Sequence, residues 1–250
     1  MVVSLQAYMA SNNHVGNDMK TIAVISQKGG AGKTTLALHL AVAAMFDNKT
    51  SVIADLDEQA SATMWHKARS NPLPHVQPTH SAALATFLPE AERQGVDLVV
   101  LDTAPQSDKP AINAAEVADL ILVPCKPSVM DLRAVQNTIR LTKLANLKTH
   151  TRVFAVLTQV EPFGKLHEEA RETLQSLELE VLPYGLGRRV AYHHGLIDGR
   201  TALEYEPDGK AAIESKLLYQ EVWKIVDMTA SRHDGVTSIN HDSINPVTNS

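Results

Sequence analysis

The feature that most constrains the fold of this 250-residue chain is an alternation of short apolar runs with longer segments of helical periodicity. Runs rich in Val, Ile and Leu occur at 21–26, 51–56, 97–102, 119–124 and 152–158. Such nearly continuous apolar runs are typical of parallel strands, because crossover helices cover both faces of the sheet. The pattern therefore predicts an α/β fold, a doubly wound and mostly parallel sheet with helices on both faces.

The segments between and after these runs are predicted to be helices. The expected ranges are 33–47, 59–69, 81–93, 108–117, 129–147, 164–178 and 207–228. In the last range, an apolar stripe is expected to face the core. The stripe consists of Ile213, Leu217, Trp223 and Val226.

The two ends of the chain differ in composition from the middle. Residues 1–18 are rich in Asn and Ser and are predicted to be a flexible leader, with a short helix at 3–10 as the alternative. Met19 stands where an internal translation start would place the first residue. Residues 230–250 contain few large apolar groups and are predicted to be a disordered tail. Residues 19–229 are therefore expected to form the folded domain.

Composition excludes several classes of protein. The single cysteine, Cys125, excludes a disulfide framework and any zinc or iron–sulfur site built from several thiolates of one chain. It also indicates a reducing, cytoplasmic setting. No apolar run is long enough for a transmembrane helix, so integral membrane insertion is not expected. The net charge is −5, and the acidic excess persists without the terminal segments, so nucleic-acid binding would require local basic patches.

A glycine-rich loop after the first predicted strand is the most specific motif in the chain. Residues 27–35 read Gln-Lys-Gly-Gly-Ala-Gly-Lys-Thr-Thr and lie between a strand and a helix, as a phosphate-binding P-loop requires. Their backbone N–H groups are expected to form an anion nest, to which the helix N-terminus adds partial positive charge. The cofactor-binding backbone comprises Lys28, Gly29, Gly30, Ala31 and Gly32.

The side chains at the end of the loop are expected to bind phosphate and metal. Lys33 should reach the β- and γ-phosphates, and the Thr34 hydroxyl should bind Mg²⁺. Thr35 is expected to hydrogen-bond the α-phosphate. A divalent cation needs more than one oxygen ligand, and Asp102, which ends the third apolar run, is the candidate to hold a water bound to Mg²⁺.

Two departures from an ordinary P-loop indicate a particular family. Gln27 stands at the position of the first glycine, and a second lysine, Lys28, follows it. The run Lys-Gly-Gly-Ala-Gly-Lys-Thr-Thr resembles the deviant Walker A motif of the ParA/MinD ATPases. The resemblance implies that Lys28 crosses a dimer interface and contacts the partner's nucleotide, where a cation stabilises the charge of phosphoryl transfer.

Two further segments extend the resemblance. Residues 55–59, Asp-Leu-Asp-Glu-Gln, are similar to the Asp-x-Asp-Pro-Gln segment of the family, with Glu58 where Pro is usual. By this resemblance Asp57 positions the attacking water near Mg²⁺, whereas Asp55 is expected to cap or hydrogen-bond nearby loops. Residues 102–105, Asp-Thr-Ala-Pro, resemble the second switch of the family, which senses the γ-phosphate.

The adenine pocket is assigned through the same resemblance. Family members often carry Asn after a later strand, whereas Thr158 and Gln159 stand there in this chain. These two residues and Pro183 are the expected contacts to the base. More general similarity covers 124–132 and 188–214.

The resemblance implies a small ParA-type ATPase without an N-terminal helix-turn-helix domain. Such a protein binds ATP and Mg²⁺, forms a homodimer when ATP is bound, and coats nucleoid DNA without sequence specificity. An adaptor of the ParB or centromere-binding type stimulates slow hydrolysis. The expected function is segregation of plasmid or chromosomal DNA, or positioning of a cellular cargo, by a nucleoid-associated cytoplasmic protein.

Two groups of basic residues are candidates for DNA contact, although each is equally compatible with a solvated charged surface. The first lies on the predicted helix 129–147 or just beyond it, with only Asp131 opposing it, and comprises Arg133, Arg140, Lys143 and Lys148. The second comprises Arg188, Arg189 and Arg200, near several carboxylates.

Other functions of the same fold remain alternatives. A MinD-like membrane-associated ATPase would need a basic amphipathic C-terminal helix, whereas the tail is polar and nearly uncharged. A metabolic ligase of the dethiobiotin synthetase kind would phosphorylate a small substrate and would not need Lys28. An ATP-binding scaffold would hydrolyse negligibly. A nitrogenase-type reductase is excluded, because it needs two cluster cysteines per subunit. The eleven histidines are interpreted as structural or surface residues.

Overall fold

A parallel sheet at the centre of the computed structural model determines where every other element lies. The structure describes residues 18–162 and 165–234, so most of the predicted leader, its alternative helix at 3–10 and residues 235–250 of the predicted tail lie outside it. The strands are β1 Lys20–Val24, β2 Ser51–Asp55, β3 His75–Pro78, β4 Leu98–Asp102, β5 Leu120–Cys125, β6 Arg152–Val160, β7 Glu180–Val181 and β8 Leu186–Gly187.

The strand order is β3-β2-β4-β1-β5-β6-β7, with β8 paired to β6, and every described pair is parallel. The doubly wound α/β prediction and its five strands are therefore confirmed. Three strands were not predicted. β7 and β8 have two residues each, and β3 is partly exposed and ends in Pro78, so none forms an apolar run. His75 begins β3.

Helices cover both faces of the sheet. They are α1 Lys33–Phe46, α2 Ser61–Ala68, α3 Leu84–Arg93, α4 Asp108–Val117, α5 Val129–Leu144, α6 Leu166–Ser176, α7 Ala191–Ile197, α8 Ala202–Tyr205 and α9 Lys210–Asp234, with a 3₁₀ turn at Ser81–Ala83. α7 and α8 were not predicted. α9 continues to Asp234, beyond the expected end at 228 and into the range predicted to be tail. Within the described residues, no helix combines the length and apolar character needed to cross a bilayer.

Alternation along each strand divides the core into two layers. In β4, Leu98 and Val100 pack in the layer that contains α1 and α9, whereas Val99 and Leu101 pack in the layer of α4, α5 and α6. Both faces of the central strands are thus removed from water. This double burial explains why these strands are apolar at successive positions instead of alternating with polar residues.

The apolar stripe of α9 differs from the prediction. Ile213 is 48% exposed, so its assignment to the core is wrong, whereas Val226 is buried as expected. The core-facing positions are Ala211, Ala212, Ser215, Leu218, Tyr219, Val222, Ile225 and Val226. Small residues occupy the first turns of this face, and the Ser215 hydroxyl is satisfied by donating to the carbonyl of Ala211 at 2.8 Å. A search for large apolar residues misses such a face.

A buried ion pair connects the end of α2 to the segment around α8. The Arg69 side chain is 1% exposed and donates to both carboxylate oxygens of Glu204, at 2.6 and 2.9 Å. It also donates to the carbonyls of Leu73 and Gly199, each at 2.6 Å. Because one guanidinium satisfies four acceptors, its removal would leave a carboxylate and two carbonyls without their donor.

We expect Arg69→Ala to lower the free energy of unfolding by about 3 kcal/mol, because it leaves a largely buried carboxylate without its cation. Urea unfolding followed by circular dichroism measures this change. Arg93→Ala is the matched control, since Arg93 pairs with Glu90 at the exposed end of α3. Its effect should stay within about 0.5 kcal/mol. Equal losses for the two variants would contradict the role given to Arg69.

Candidate nucleotide-binding site

The phosphate loop connects β1 to α1 and has a backbone that requires glycine at two positions. Gly30 and Gly32 have φ angles of +69° and +95°, which glycine adopts without steric cost. Residues at the end of β6 hold the loop from outside. The Thr158 hydroxyl donates to the Ala31 carbonyl at 2.8 Å, and the Gln159 amide reaches the Gly30 carbonyl at 3.4 Å. The loop is therefore held in its curved form by side chains of the sheet.

Parallel register brings three of the predicted site residues to one edge of the sheet. Asp102 at the end of β4 is the register partner of both Val24 and Asp55, so the segments that follow β1, β2 and β4 begin side by side. Lys33 is buried at the start of α1, and burial lowers the pKa of its ammonium, whereas Asp102 and Asp57 raise it. Lys33, Asp57 and Asp102 thus form one electrostatic cluster.

Asp102 is the most strongly perturbed acid of the cluster. The residue is 0% exposed, and neither of its carboxylate oxygens has a hydrogen-bond partner in the described part of the chain. Burial raises its pKa to about 7, although the Thr34 hydroxyl acts in the opposite direction. An ionised carboxylate in this position is costly unless a cation accompanies it.

These features fit a magnesium site. Mg²⁺ prefers oxygen ligands and is usually held by one or two carboxylates together with substrate phosphates. Thr34 and Asp102 would supply such oxygens, with Asp57 close by. Among the described residues there is no cluster of three or more His, Cys, Asp or Glu side chains able to hold a metal ion by themselves.

The two aspartates after β2 have different roles. Asp55 is buried and accepts hydrogen bonds from the amide and the hydroxyl of Thr63, at 2.9 and 2.7 Å, so it stabilises the first turn of α2 as predicted. Asp57 is half-buried, and its Oδ1 accepts from the amide of Gln59 at 3.0 Å. Asp57 is therefore oriented by its own turn while its charge acts on the phosphate site.

A pocket beside the phosphate loop contains Thr158 and Gln159 but not Pro183. It is lined by Gly32, Thr35, Thr158, Gln159, Leu186, Gly187, Arg188, Arg189, Tyr192 and His193. Pro183 lies instead in a neighbouring cleft, where its carbonyl accepts from Arg171 at 3.0 Å. The sequence missed this pocket wall, because it is built from β8 and α7.

Glu214 of α9 organises that wall. Its carboxylate accepts from Arg189 at 2.7 Å, from the Gly187 amide at 2.9 Å and from the Tyr192 hydroxyl at 3.2 Å. The three residues that it holds all line the pocket. The wall is therefore fixed by one carboxylate that lies far away in the sequence.

His39 ties α1 to the same wall. Its Nε2 accepts from the Ala202 amide at 3.0 Å, which places the proton on Nδ1, and Nδ1 donates to the Thr35 carbonyl at 2.7 Å. The ring packs edge-to-face on Tyr192 at 4.9 Å. Burial lowers the pKa of His39 to about 4, although Glu204 raises it, so the imidazole is neutral near pH 7.

Three of the four residues in the first basic group lie on α5 and have no ion pair with a described residue. Arg133, Arg140 and Lys143 are exposed, and none has an ion pair with a described residue. Asp131, expected to oppose them, is buried and bonds to Ser128 at the N-terminus of α5. We call Arg133, Arg140 and Lys143 the α5 patch. Asp131 forms no ion pair with these three cations.

The second basic group is paired with carboxylates. Arg188 bonds to Glu161 at 2.7 Å, Arg189 to Glu214 at 2.7 Å and Arg200 to Asp198 at 2.6 Å.

Lys148, which was placed in the first group, likewise pairs with Asp119 at 2.7 Å. These paired cations are less available to bind a polyanion than the three cations of the α5 patch.

Comparison with known proteins gives consistent matches. Residues 22–200 match the family model described as the CobQ/CobB/MinD/ParA nucleotide binding domain. The chain is 30% identical over 213 residues to the maintenance of carboxysome distribution protein A of Gloeobacter kilaueensis, covering 83% of this chain and 94% of that protein. It is 26% identical over 237 residues to the chromosome-partitioning ATPase Soj of Thermus thermophilus, covering 82% and 95%. In structure it resembles the septum site-determining protein MinD of Pyrococcus horikoshii complexed with Mg-ADP, with a TM-score of 0.64, 18% identity, and coverage of 85% and 99%.

The buried imidazole of His39 is expected to make the free energy of unfolding depend on pH. Because its pKa in the folded protein lies below its ordinary value, its neutral form stabilises the fold fully above about pH 6.5. This contribution, about 3 kcal/mol, should be lost as the pH falls from about 6.5 to about 4. We expect His39→Gln to show a flatter dependence of unfolding free energy on pH over this window, measured by urea titration. Parallel curves for the variant and the wild type would contradict the assignment.

Proposed function

Because this chain belongs to the CobQ/CobB/MinD/ParA nucleotide-binding domain family, we propose that it is an ATP-hydrolysing switch that positions DNA or another cellular cargo. The observation that carries the proposal is the cluster of Lys33, Asp57 and Asp102 around a P-loop that also contains Lys28. A purely nucleotide-binding loop needs Lys33, but it has no need of a second lysine or of a carboxylate beside the phosphates. The site is therefore suited to hydrolysis.

The residues of the cluster divide the chemistry between them. Lys33 binds the terminal phosphates of ATP, and Thr34 with Asp102 would hold Mg²⁺. When bound there, Mg²⁺ neutralises charge on the phosphate oxygens.

Asp57 orients the attacking water, since its Oδ1 is fixed by the Gln59 amide and its Oδ2 has no hydrogen bond to a described residue. The base would lie beside Gln159, at the mouth of the small pocket that Thr158 also lines.

The place of Lys28 in the phosphate loop supports ATP-dependent dimerisation. Its carbonyl accepts from the Lys33 ammonium at 3.4 Å, which holds the backbone within the loop. Its ammonium has no ion pair with a described residue, so it is available to a nucleotide bound by a second copy. A cation supplied in this way would make ATP part of the dimer interface.

We expect Asp57→Ala and Lys28→Ala to fail at different steps. Asp57→Ala should bind ATP, accumulate as a dimer and lose hydrolysis by about 10²-fold or more, because the water is no longer oriented. Lys28→Ala should bind ATP but remain monomeric. Phosphate release and light scattering after size-exclusion chromatography measure both properties. Lys33→Ala is the control that should lose nucleotide binding itself. A Lys28→Ala protein that dimerises and hydrolyses like the wild type would overturn the trans role.

The α5 patch is the proposed DNA surface. Its three cations are exposed, and α5 contacts the phosphate loop directly, because the Thr138 hydroxyl accepts from the Gln27 amide at 3.3 Å. Each phosphate neutralised adds about −0.9 to the slope of log affinity against log salt, so a dimer with two patches would bind far more tightly than a monomer. An adaptor of the ParB type would then stimulate hydrolysis and release, and the protein would reside on the nucleoid.

The names of the relatives support cargo positioning but divide over the cargo. One is named for carboxysome distribution and another for chromosome partitioning. A protein compartment and a DNA molecule are therefore both candidate cargoes. The switch is the same in either case, since the adaptor selects the cargo.

We expect Arg140→Glu combined with Lys143→Glu to weaken ATP-dependent binding of a 30-base-pair duplex by at least about tenfold and to make the salt slope shallower. Fluorescence anisotropy with ATP, with ADP and at several salt concentrations measures this effect. Lys67→Glu with Arg93→Glu is the control of equal charge change away from α5. ATP-loaded wild type that ignores duplex DNA at low salt would remove DNA binding from the proposal.

A further inference from the structure

The two flanks of the phosphate loop carry opposite charge. β1 lies between β4 and β5 in the sheet, so the loop that follows β1 has a neighbour on each side. On the β4 side the strand ends in the buried carboxylate of Asp102. On the β5 side the residue directly after the strand is Lys126. The sheet order thus places a carboxylate on one flank and an ammonium on the other.

Lys126 lies against the loop itself. Its Nζ is 3.8 Å from the point where a Cβ on Gly30 would lie, so the ammonium covers a loop position that has no side chain. The Lys126 carbonyl accepts from the Ser128 amide at 2.8 Å, and Ser128 in turn caps α5. The backbone at this position is therefore fixed, and Nζ has no hydrogen bond or ion pair with a described residue.

The charges around the phosphate loop indicate that the Lys126 ammonium can serve as a further cation there. Burial lowers the pKa of Lys33, and Asp102 and Asp57 lie close enough to oppose that shift, so the charge of Lys33 is already shared with two carboxylates. A nucleoside triphosphate brings several further negative charges, spread over oxygens on both sides of the phosphate chain. The oxygens on the carboxylate side would be neutralised through the metal. Those on the β5 side would lie on the flank of the loop where the Lys126 ammonium is placed.

We propose that Lys126 is a further phosphate-binding residue of the nucleotide site and acts within its own subunit. The proposal rests on the proposed binding of ATP. It separates Lys126 from Lys28, because a contact within one subunit supports nucleotide affinity in the monomer, whereas a contact across the interface supports association. The ligand group is the polyphosphate, whichever base it carries.

The test is nucleotide affinity measured by titration calorimetry with the full chain, Mg²⁺ and either ATP or ADP. We expect Lys126→Ala to weaken ATP binding by about tenfold, because a charge-assisted hydrogen bond is lost. Lys126→Arg should stay within about threefold of the wild type, since it keeps the cation. Lys67→Ala, at the exposed end of α2, removes the same charge away from the loop and should change nothing. Thermal unfolding without nucleotide checks that all variants are equally folded.

The outcomes separate this proposal from the function on which it rests. Weaker ATP and ADP binding places the contact at phosphates common to both, and weaker ATP binding alone places it at the γ-phosphate; either supports the proposal. Wild-type affinity in Lys126→Ala overturns it, as does equal weakening in Lys126→Arg and Lys126→Ala. Failure of the wild type and of Lys67→Ala to bind ATP at all would instead overturn the proposed function.

Discussion

The buried carboxylate of Asp102 is the constraint on which the rest of the site depends. It ends a central strand between two others, so the burial that stabilises the sheet also removes this acid from water. Both of its oxygens lack partners among the described residues, and its pKa is raised to about 7. Burial of the surrounding apolar residues offsets the free-energy cost of burying this acid when no ligand is bound. A bound cation reduces that cost. Asp102 therefore lowers the stability of the unliganded fold while it favours binding of a metal–nucleotide complex.

The long strands and the phosphate loop could be predicted because their signals are local in the sequence. Burial on both faces forces successive apolar residues, and the loop motif carries its chemistry within nine positions, 27–35. The wall of the pocket beside the phosphate loop could not be predicted in this way. β8 has two residues and α7 has seven, which is too short for either periodicity to appear. Pro183 was assigned to the base by resemblance alone, and the structure places it in another cleft.

Charge was harder to interpret from sequence than hydrophobicity. Arg188 and Arg189 stand in a basic run, yet their carboxylate partners, Glu161 and Glu214, are more than twenty residues away along the chain. Asp131 is near Arg133 in sequence but is buried at a helix end. The strand order was equally hidden, and with it the approach of Lys126 to Gly30. Partners distant in sequence decide which cations remain available.

The long contact between the Lys33 ammonium and the Lys28 carbonyl has a consequence for binding rates and entropy. A free lysine side chain samples many rotamers, and fixing it costs roughly 2 kcal/mol. In this fold the Lys33 side chain is already confined by burial and by the 3.4 Å contact, so much of this entropy is lost before a ligand binds. A phosphate bound by Lys33, as proposed, would replace one weak acceptor by a stronger one without having to order the lysine. The loop would then be preorganised, and nucleotide binding would need little rearrangement of this cation.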